Sequence, residues 1–207
     1  MSDEFGSAVG AHEAEAPRWV TVAPGPQMSV DWDSWVVELH ARDSGGDQLI
    51  ASTSLLTLAV DSMNHTPEPF LEELFASQGD EPLGLRADLP TPTSGSQLVY
   101  IRHFLVRFEW RRHGLGTELL STALAECAPQ PHIVGLIPVP DDAGDEHRPP
   151  VDPTDPQQIA EVQAYWRSLG FAPYGDPDST TGLQTWIRLD AHELIDPMHT
   201  ASRVPPL

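Results

Sequence analysis

The chain has 207 residues, 40% of them hydrophobic and 20% charged, which is enough for about one domain with a sizeable core. Its formal net charge is −20 and all 11 basic residues are arginine, a balance that repels nucleic acid and anionic membranes. The single cysteine, Cys127, excludes an internal disulfide and a multi-cysteine zinc site, and the 9 histidines form no H-E-x-x-H or H-x-H pattern, so no metal is expected.

Residues 1–16 are small, acidic and rich in Ala and Gly, the composition of a disordered tail. They carry no cationic segment followed by an apolar one, so no targeting signal is expected. The longest apolar run, Leu49 to Val60, is broken by Ser and Thr and is too short to span a bilayer. A cytoplasmic protein is expected, with one domain over residues 17–190 and a C-terminal tail over 191–207. Trp19 to Val22 reads as a first strand, ended by Ala23-Pro24-Gly25-Pro26. Trp35 to Ala41 and Gln48 to Val60 read as a long antiparallel hairpin about the turn Asp43 to Asp47. Trp19, Trp32 and Trp35 fit core positions better than an acceptor pocket. Pro67 to Gln78 has helix signals: Thr66 as cap, Pro67 in the first turn, an apolar face of Phe70, Leu71, Leu74 and Phe75, and Gly79 as stop. Its Glu68, Glu72 and Glu73 read as a solvated face. Residues 79–96 form a connection rich in Pro, Gly, Ser and Thr.

Leu98 to Val106 is a strand of β-branched and aromatic residues without Gly or Pro. Leu115, Leu119, Leu120, Ala123, Leu124 and Cys127 then return to one face of a helix. Between them runs Arg111-Arg112-His113-Gly114-Leu115-Gly116-Thr117. Two glycines permit a tight turn and close approach of a ligand. The first amides of the helix lack internal partners and, with the helix dipole, favour an anion such as phosphate. Arg102, Arg107, Arg111 and Arg112 gather positive charge here against an acidic background. Further on, His132 to Val139 reads as a buried strand and residues 140–155 as an acidic, proline-rich loop. A helix capped by Asp155, opened by Pro156 and ended by Gly170 follows, with an apolar stripe of Ile159, Val162, Trp166 and Leu169. Thr185 to Leu189 is the last strand. Cys127 lies on the apolar side of its helix as a structural thiol.

R-x-x-G-x-G after a strand resembles the acyl-CoA-binding motif of the GNAT N-acetyltransferases. The run from Val106 to Gly116 is similar to that superfamily's V-x-P-E-[YW]-R-G-x-G-[LI]-G, with Phe108 in place of Pro and Arg112 in place of Gly. The ending Tyr165-Trp166-Arg167-Ser168-Leu169-Gly170-Phe171 resembles the F-Y-x-x-L-G-F element that closes many such domains. The resemblance implies an α+β fold: a mixed twisted sheet flanked by helices, with two central strands splayed to form the acyl-CoA groove. It implies acetyl-CoA as co-substrate, no metal, and acetyl transfer to an amine. The acidic surface favours a cationic amine or basic peptide as acceptor, with no nucleic-acid or membrane partner and a homodimer as the assembly to test for.

The same resemblance implies roles. The phosphates sit on the amides from Arg111 through Arg112, His113, Gly114, Leu115 and Gly116 to Thr117, and pantetheine on main-chain groups at Val106. A backbone amide at Phe104 faces the developing oxyanion. The acid that protonates the thiolate is usually a Tyr at the position of Trp166; an indole N–H is a poor proton source, and the adjacent Tyr165 lies about 100° round the helix. The base position early on the central strand is Tyr100. His103 has suitable chemistry, but strict alternation sets it on the face opposite Tyr100 and Phe104. The base is therefore Tyr100, a water chain or a residue elsewhere. Glu109 reads as structural. Trp166 in place of Tyr leaves an alternative open, a GNAT-like module that binds CoA as a sensor without chemistry. Arg112 or the loop over 140–155 allows a third, a blocked groove.

Overall fold

The computed structural model describes residues 17–27, 32–43, 45–60, 74–76, 84–140, 152, 154–178, 182–189 and 191–195. The expected tail over 1–16 and most of the acidic loop over 140–155 lie outside these residues. A seven-stranded mixed sheet has the order β1-β2-β3-β6-β7-β9-β8. Its strands are β1 (Arg18–Pro24), β2 (Asp33–Asp43), β3 (Gly46–Ala59), β6 (Gln97–Val106), β7 (Pro131–Leu136), β8 (Ala172–Pro173) and β9 (Trp186–Arg188). β2 and β3 form the expected hairpin, and β1 pairs antiparallel with β2. β6 is antiparallel to β3 and parallel to β7. The parallel pair needs a crossover, which α1 (Leu115–Cys127) supplies. A second helix, α2 (Pro156–Ser168), precedes β8. Asp155 caps it as expected, its Oδ1 accepting from the Gln157 amide at 2.9 Å.

Two apolar clusters fill the two faces of the sheet. On the first, Leu115, Leu119, Leu120, Ala123 and Leu124 of α1 pack on Val37, Leu39, Ala51, Leu55, Val99 and Ile101. Trp166, Leu169 and Phe171, at the end of α2, join the same cluster. Cys127 is buried there, and burial, aided by Glu126, pushes its thiol up to about 11. On the second face, Leu56, Leu58, Leu98, Tyr100, Ile133 and Ile187 are covered by Trp32, Leu74 and Leu89.

Three expectations change. Of the helix expected over 67–78, residues 67–73 and 77–78 lie outside the described residues, but Phe75–Ala76 is a short strand, β4, paired with β5 (Gly84–Leu85). Leu74 and Phe75 follow the helical spacing, yet Phe75–Ala76 pairs in extended form with Gly84–Leu85. The C-terminal tail does not begin at 191: Ala191–Leu194 is a 3₁₀ turn whose Leu194 is buried in the first cluster, and Ser121 Oγ donates to Ile195 O at 3.3 Å. The three early tryptophans divide: Trp32 is core, Trp35 packs half-buried on the first cluster, and Trp19 stacks on His40 at 5.4 Å on the other side of the hairpin.

Candidate active site

The site follows from an irregularity in β6. Ser54 of β3 opposes His103, but Leu55 opposes Ile101, so Arg102 is an extra residue on β6. Such a bulge reverses the side-chain phase of the strand beyond it. Val99 and Ile101 point into the first cluster and Tyr100 into the second; beyond Arg102, Phe104 and Val106 pack on the first cluster. Tyr100 and Phe104, four residues apart, therefore lie on opposite faces, and His103 shares the face of Tyr100. Strict alternation predicts the reverse, and it fails because one residue is inserted.

The bulge coincides with the parting of the central strands. β7 pairs with β6 only from Gln97 to Ile101. From Arg102 to Val106, β6 keeps β3 alone. Arg107 donates its amide to Ile50 O at 2.9 Å, so the main-chain groups of residues 105 and 107 face β3. Alternation turns those of Phe104 and Val106 to the edge that β7 has left. The main-chain groups of Phe104 and Val106 thus lie along the edge of β6 that β7 has left. The Val106 carbonyl accepts from Arg111 Nε at 2.9 Å, and the Arg111 guanidinium also lies 5.8 Å from the exposed Phe108 ring.

After a 3₁₀ turn at Phe108–Trp110 the chain reaches α1. Arg112 has φ 66° and Gly114 has φ 75°, both left-handed. At the Arg112 position the turn needs a conformation that glycine adopts freely and that costs a side chain about 1–2 kcal/mol. This chain keeps the turn and bears that cost. Arg112→Gly should stabilise the fold by roughly 0.5–1 kcal/mol once the extra freedom of glycine in the unfolded chain is subtracted. Thermal melting should register a rise of about 2 °C; a lower melting point would show that Arg112 makes a compensating contact.

Gly114 is the N-cap of α1, and the first intrahelical bond runs from the Glu118 amide to Gly114 O at 3.1 Å. The amides of Leu115, Gly116 and Thr117 precede it and have no partner within the helix. Arg111, Arg112 and His113 are exposed beside them. Every residue from Arg111 to Thr117 thus sits on one turn at the mouth of the groove.

Tyr165 supplies the remaining piece. Its ring stacks on Phe104 with centroids 6.0 Å apart, and its hydroxyl reaches Gly116, where an added Cβ would lie 2.5 Å from the oxygen and 3.4 Å from the Phe104 ring. The oxygen is buried and, among the described residues, has no hydrogen-bond partner of acceptable geometry. Burial pushes this phenol well above its ordinary range, and the nearby Thr117 hydroxyl pulls weakly the other way. An orphaned buried hydroxyl normally costs stability. Its place between the splayed edge and the unpaired amides fits a ligand that completes it, and the glycine beneath it leaves the room a side chain would fill. Acetyl-CoA, with phosphates for the amides and a thioester for the groove, suits this donor set.

Trp166 has a different environment. It is 4% exposed and meets Phe104 and Phe171 edge-on at 5.0 and 5.1 Å. Tyr165 thus packs beside Phe104 and Gly116, while Trp166 lies in the core. Tyr100 is 8% exposed within the second cluster, and burial pushes its phenol up to about 12, with Arg102 opposing. Phenolate is scarce there at neutral pH, which makes Tyr100 a poor base. Glu109 lies 3.9 Å from Arg107, a surface pair of small effect. Among the described residues no group of three or more His, Cys, Asp or Glu could hold a metal ion, and no helix is long and apolar enough to cross a membrane.

The bulged and splayed central strand, the sheet order and the flanking helices agree with the α+β fold that the resemblance implies. No family model and no curated protein matches the chain. Solved structures do. Arabidopsis thaliana NAA60 in complex with acetyl-CoA is 13% identical, covering 74% of this chain and 76% of that one at a TM-score of 0.42. A point mutant of KacT is 11% identical, covering 79% and 75% at 0.40. AtaTR bound with AcCoA is 12% identical, covering 79% and 74% at 0.35. At such identities and scores these likenesses decide neither activity nor acceptor.

Proposed function

We propose that this protein is an acyl-CoA-dependent N-acetyltransferase. The observation that carries the reading is the orphaned Tyr165 hydroxyl, held over Gly116 beside the edge of β6 that β7 has left. When bound, acetyl-CoA supplies a thioester carbonyl open to attack by a neutral amine. The unpaired amides of Leu115, Gly116 and Thr117, with Arg111, Arg112 and His113 around them, hold the phosphates at the positive end of α1. Val106 offers main-chain groups to the pantetheine. The amide of Phe104, fixed by its strand, stabilises negative charge on the carbonyl oxygen without reorganisation. The Tyr165 phenol, protonated at neutral pH, is the acid of this reading and gives its proton to the departing thiolate.

The net charge of −20 supports a cationic acceptor, a small polyamine or a basic peptide, drawn by the field of the surface. On this reading Tyr165 supplies the phenol that Trp166 lacks, which favours transfer over the sensor alternative. Thiol release from acetyl-CoA with a panel of cationic amines tests the reading. Amine-dependent release at pH 7–8 is expected; cofactor binding without release by any amine would favour the sensor.

A further inference from the structure

The proposed function assigns an acid and an oxyanion donor but no base. On that reading, we propose that His103 is the general base that takes the proton from the acceptor amine. The bulge at Arg102 places its side chain on the sheet face opposite Phe104, one residue from the splayed edge. Cross-strand partners share a face, so His103 stands with Ser54, and Leu105 with Ser52. Tyr165 approaches the same edge from the face of Phe104. Acid and base thus flank β6, with the Phe104 amide between them. This disposition lets one group take the amine proton as the tetrahedral intermediate forms while the other gives a proton to sulfur as the carbon–sulfur bond breaks.

The environment suits the role. His103 is half-buried, reachable yet partly shielded. Its carbonyl accepts from Thr53 Oγ1 at 2.8 Å, which fixes the backbone beneath the ring. On its own strand the titratable and charged neighbours are Tyr100 and Arg102. On β3 its neighbours Ser52 and Ser54 are uncharged, and beyond them Glu38 and His40 of β2 share the face, 3.3 Å apart. A carboxylate on the amine side favours a cationic acceptor, and an imidazole is the side chain that exchanges a proton near pH 7.

The step balances. The amine nitrogen bonds to the carbonyl carbon and the carbon–sulfur bond breaks. The amine proton passes to the His103 imidazole, and the thiolate takes the proton of Tyr165. Solvent returns the proton from imidazolium to phenolate, leaving amide and free thiol.

The test uses the full chain with hydroxylamine and spermidine as acceptor probes. His103→Gln and His103→Ala should bind acetyl-CoA with wild-type affinity by tryptophan fluorescence. Thiol release should fall about 100-fold or more in both, with the acidic limb of the kcat/KM profile lost, and added imidazole should partly rescue His103→Ala. Independently of turnover, the His103 ring resonances, identified by their absence in His103→Gln, should shift when CoA is added. Variants within twofold of wild type, a loss that imidazole does not rescue with the pH profile intact, ring resonances that ignore CoA, or no wild-type release with either amine would each overturn the assignment. Failure of the wild type to bind acetyl-CoA would instead defeat the underlying function, and His103 with it.

Discussion

Tyr165→Phe should make the protein more stable and a poorer catalyst. The Tyr165 oxygen is buried and, among the described residues, has no hydrogen-bond partner of good geometry. Removing it relieves a desolvation cost of about 1–3 kcal/mol, while the ring keeps its contacts with Phe104 and Trp166. In a domain of this size each kcal/mol moves the melting point by roughly 2–4 °C. Acetyl transfer should fall about 100-fold, the loss of one positioned acid, with little change in acetyl-CoA affinity. Opposite signs for stability and rate are what a group kept for function produces. A purely structural tyrosine would lose both or neither. Trp166→Phe supplies the contrast: it leaves the acid in place and opens space in the core, so stability should drop by about 1–3 kcal/mol before any specific effect on transfer.

Gly116→Ala should weaken cofactor binding at least tenfold with little change in stability. Alanine improves on glycine within a helix by about 1 kcal/mol. Against that, the new Cβ would lie 2.5 Å from the Tyr165 oxygen and must push the phenol aside, an overpacking cost of similar size, about 1–3 kcal/mol. The two nearly cancel in the melting point. They do not cancel in the site: the methyl enters the space between the unpaired amide and the phenol, and affinity for acetyl-CoA should fall at least tenfold. Gly116→Val should remove it altogether. Calorimetric titration with the melting curve measured in parallel checks both halves. Unchanged affinity in Gly116→Val would take the cofactor away from this turn. Gly114 differs, because a Cβ there meets nothing within 4 Å among the described residues, and its φ of 75° is what resists substitution.

The hairpin, the central strand, the glycine turn and both helices were legible because each has a local cause. Alternation marks β2 and β3, helical spacing marks α1, and Asp155 with Pro156 marks the start of α2. What local patterns cannot encode is register between strands. The bulge at Arg102 has no signature in Leu98 to Val106, whose residues suit a regular strand. It arises where β3 continues and β7 departs, and it moved His103 and Phe104 to faces that alternation denies them. The roles of Tyr165 and Trp166 were obscured similarly. The spacing to Gly170 points to Trp166, and the choice between adjacent residues depends on how α2 is rotated against Phe104. Arg112 was visible as a departure from glycine, and its φ of 66° explains what the departure costs. Leu194 gave no sign of burial, because one leucine in an acidic, proline-containing segment has no periodicity.

The measurement that bears most directly on the proposed function is a titration of the full chain with acetyl-CoA and free CoA, followed by tryptophan fluorescence and melting temperature. Saturable binding of both is expected. At a hundredfold excess over Kd the fold should gain about 2.7 kcal/mol, and the gain should vanish in Gly116→Val. No fluorescence change and no melting shift at millimolar cofactor would contradict the acyl-CoA site on the turn from Arg111 to Thr117.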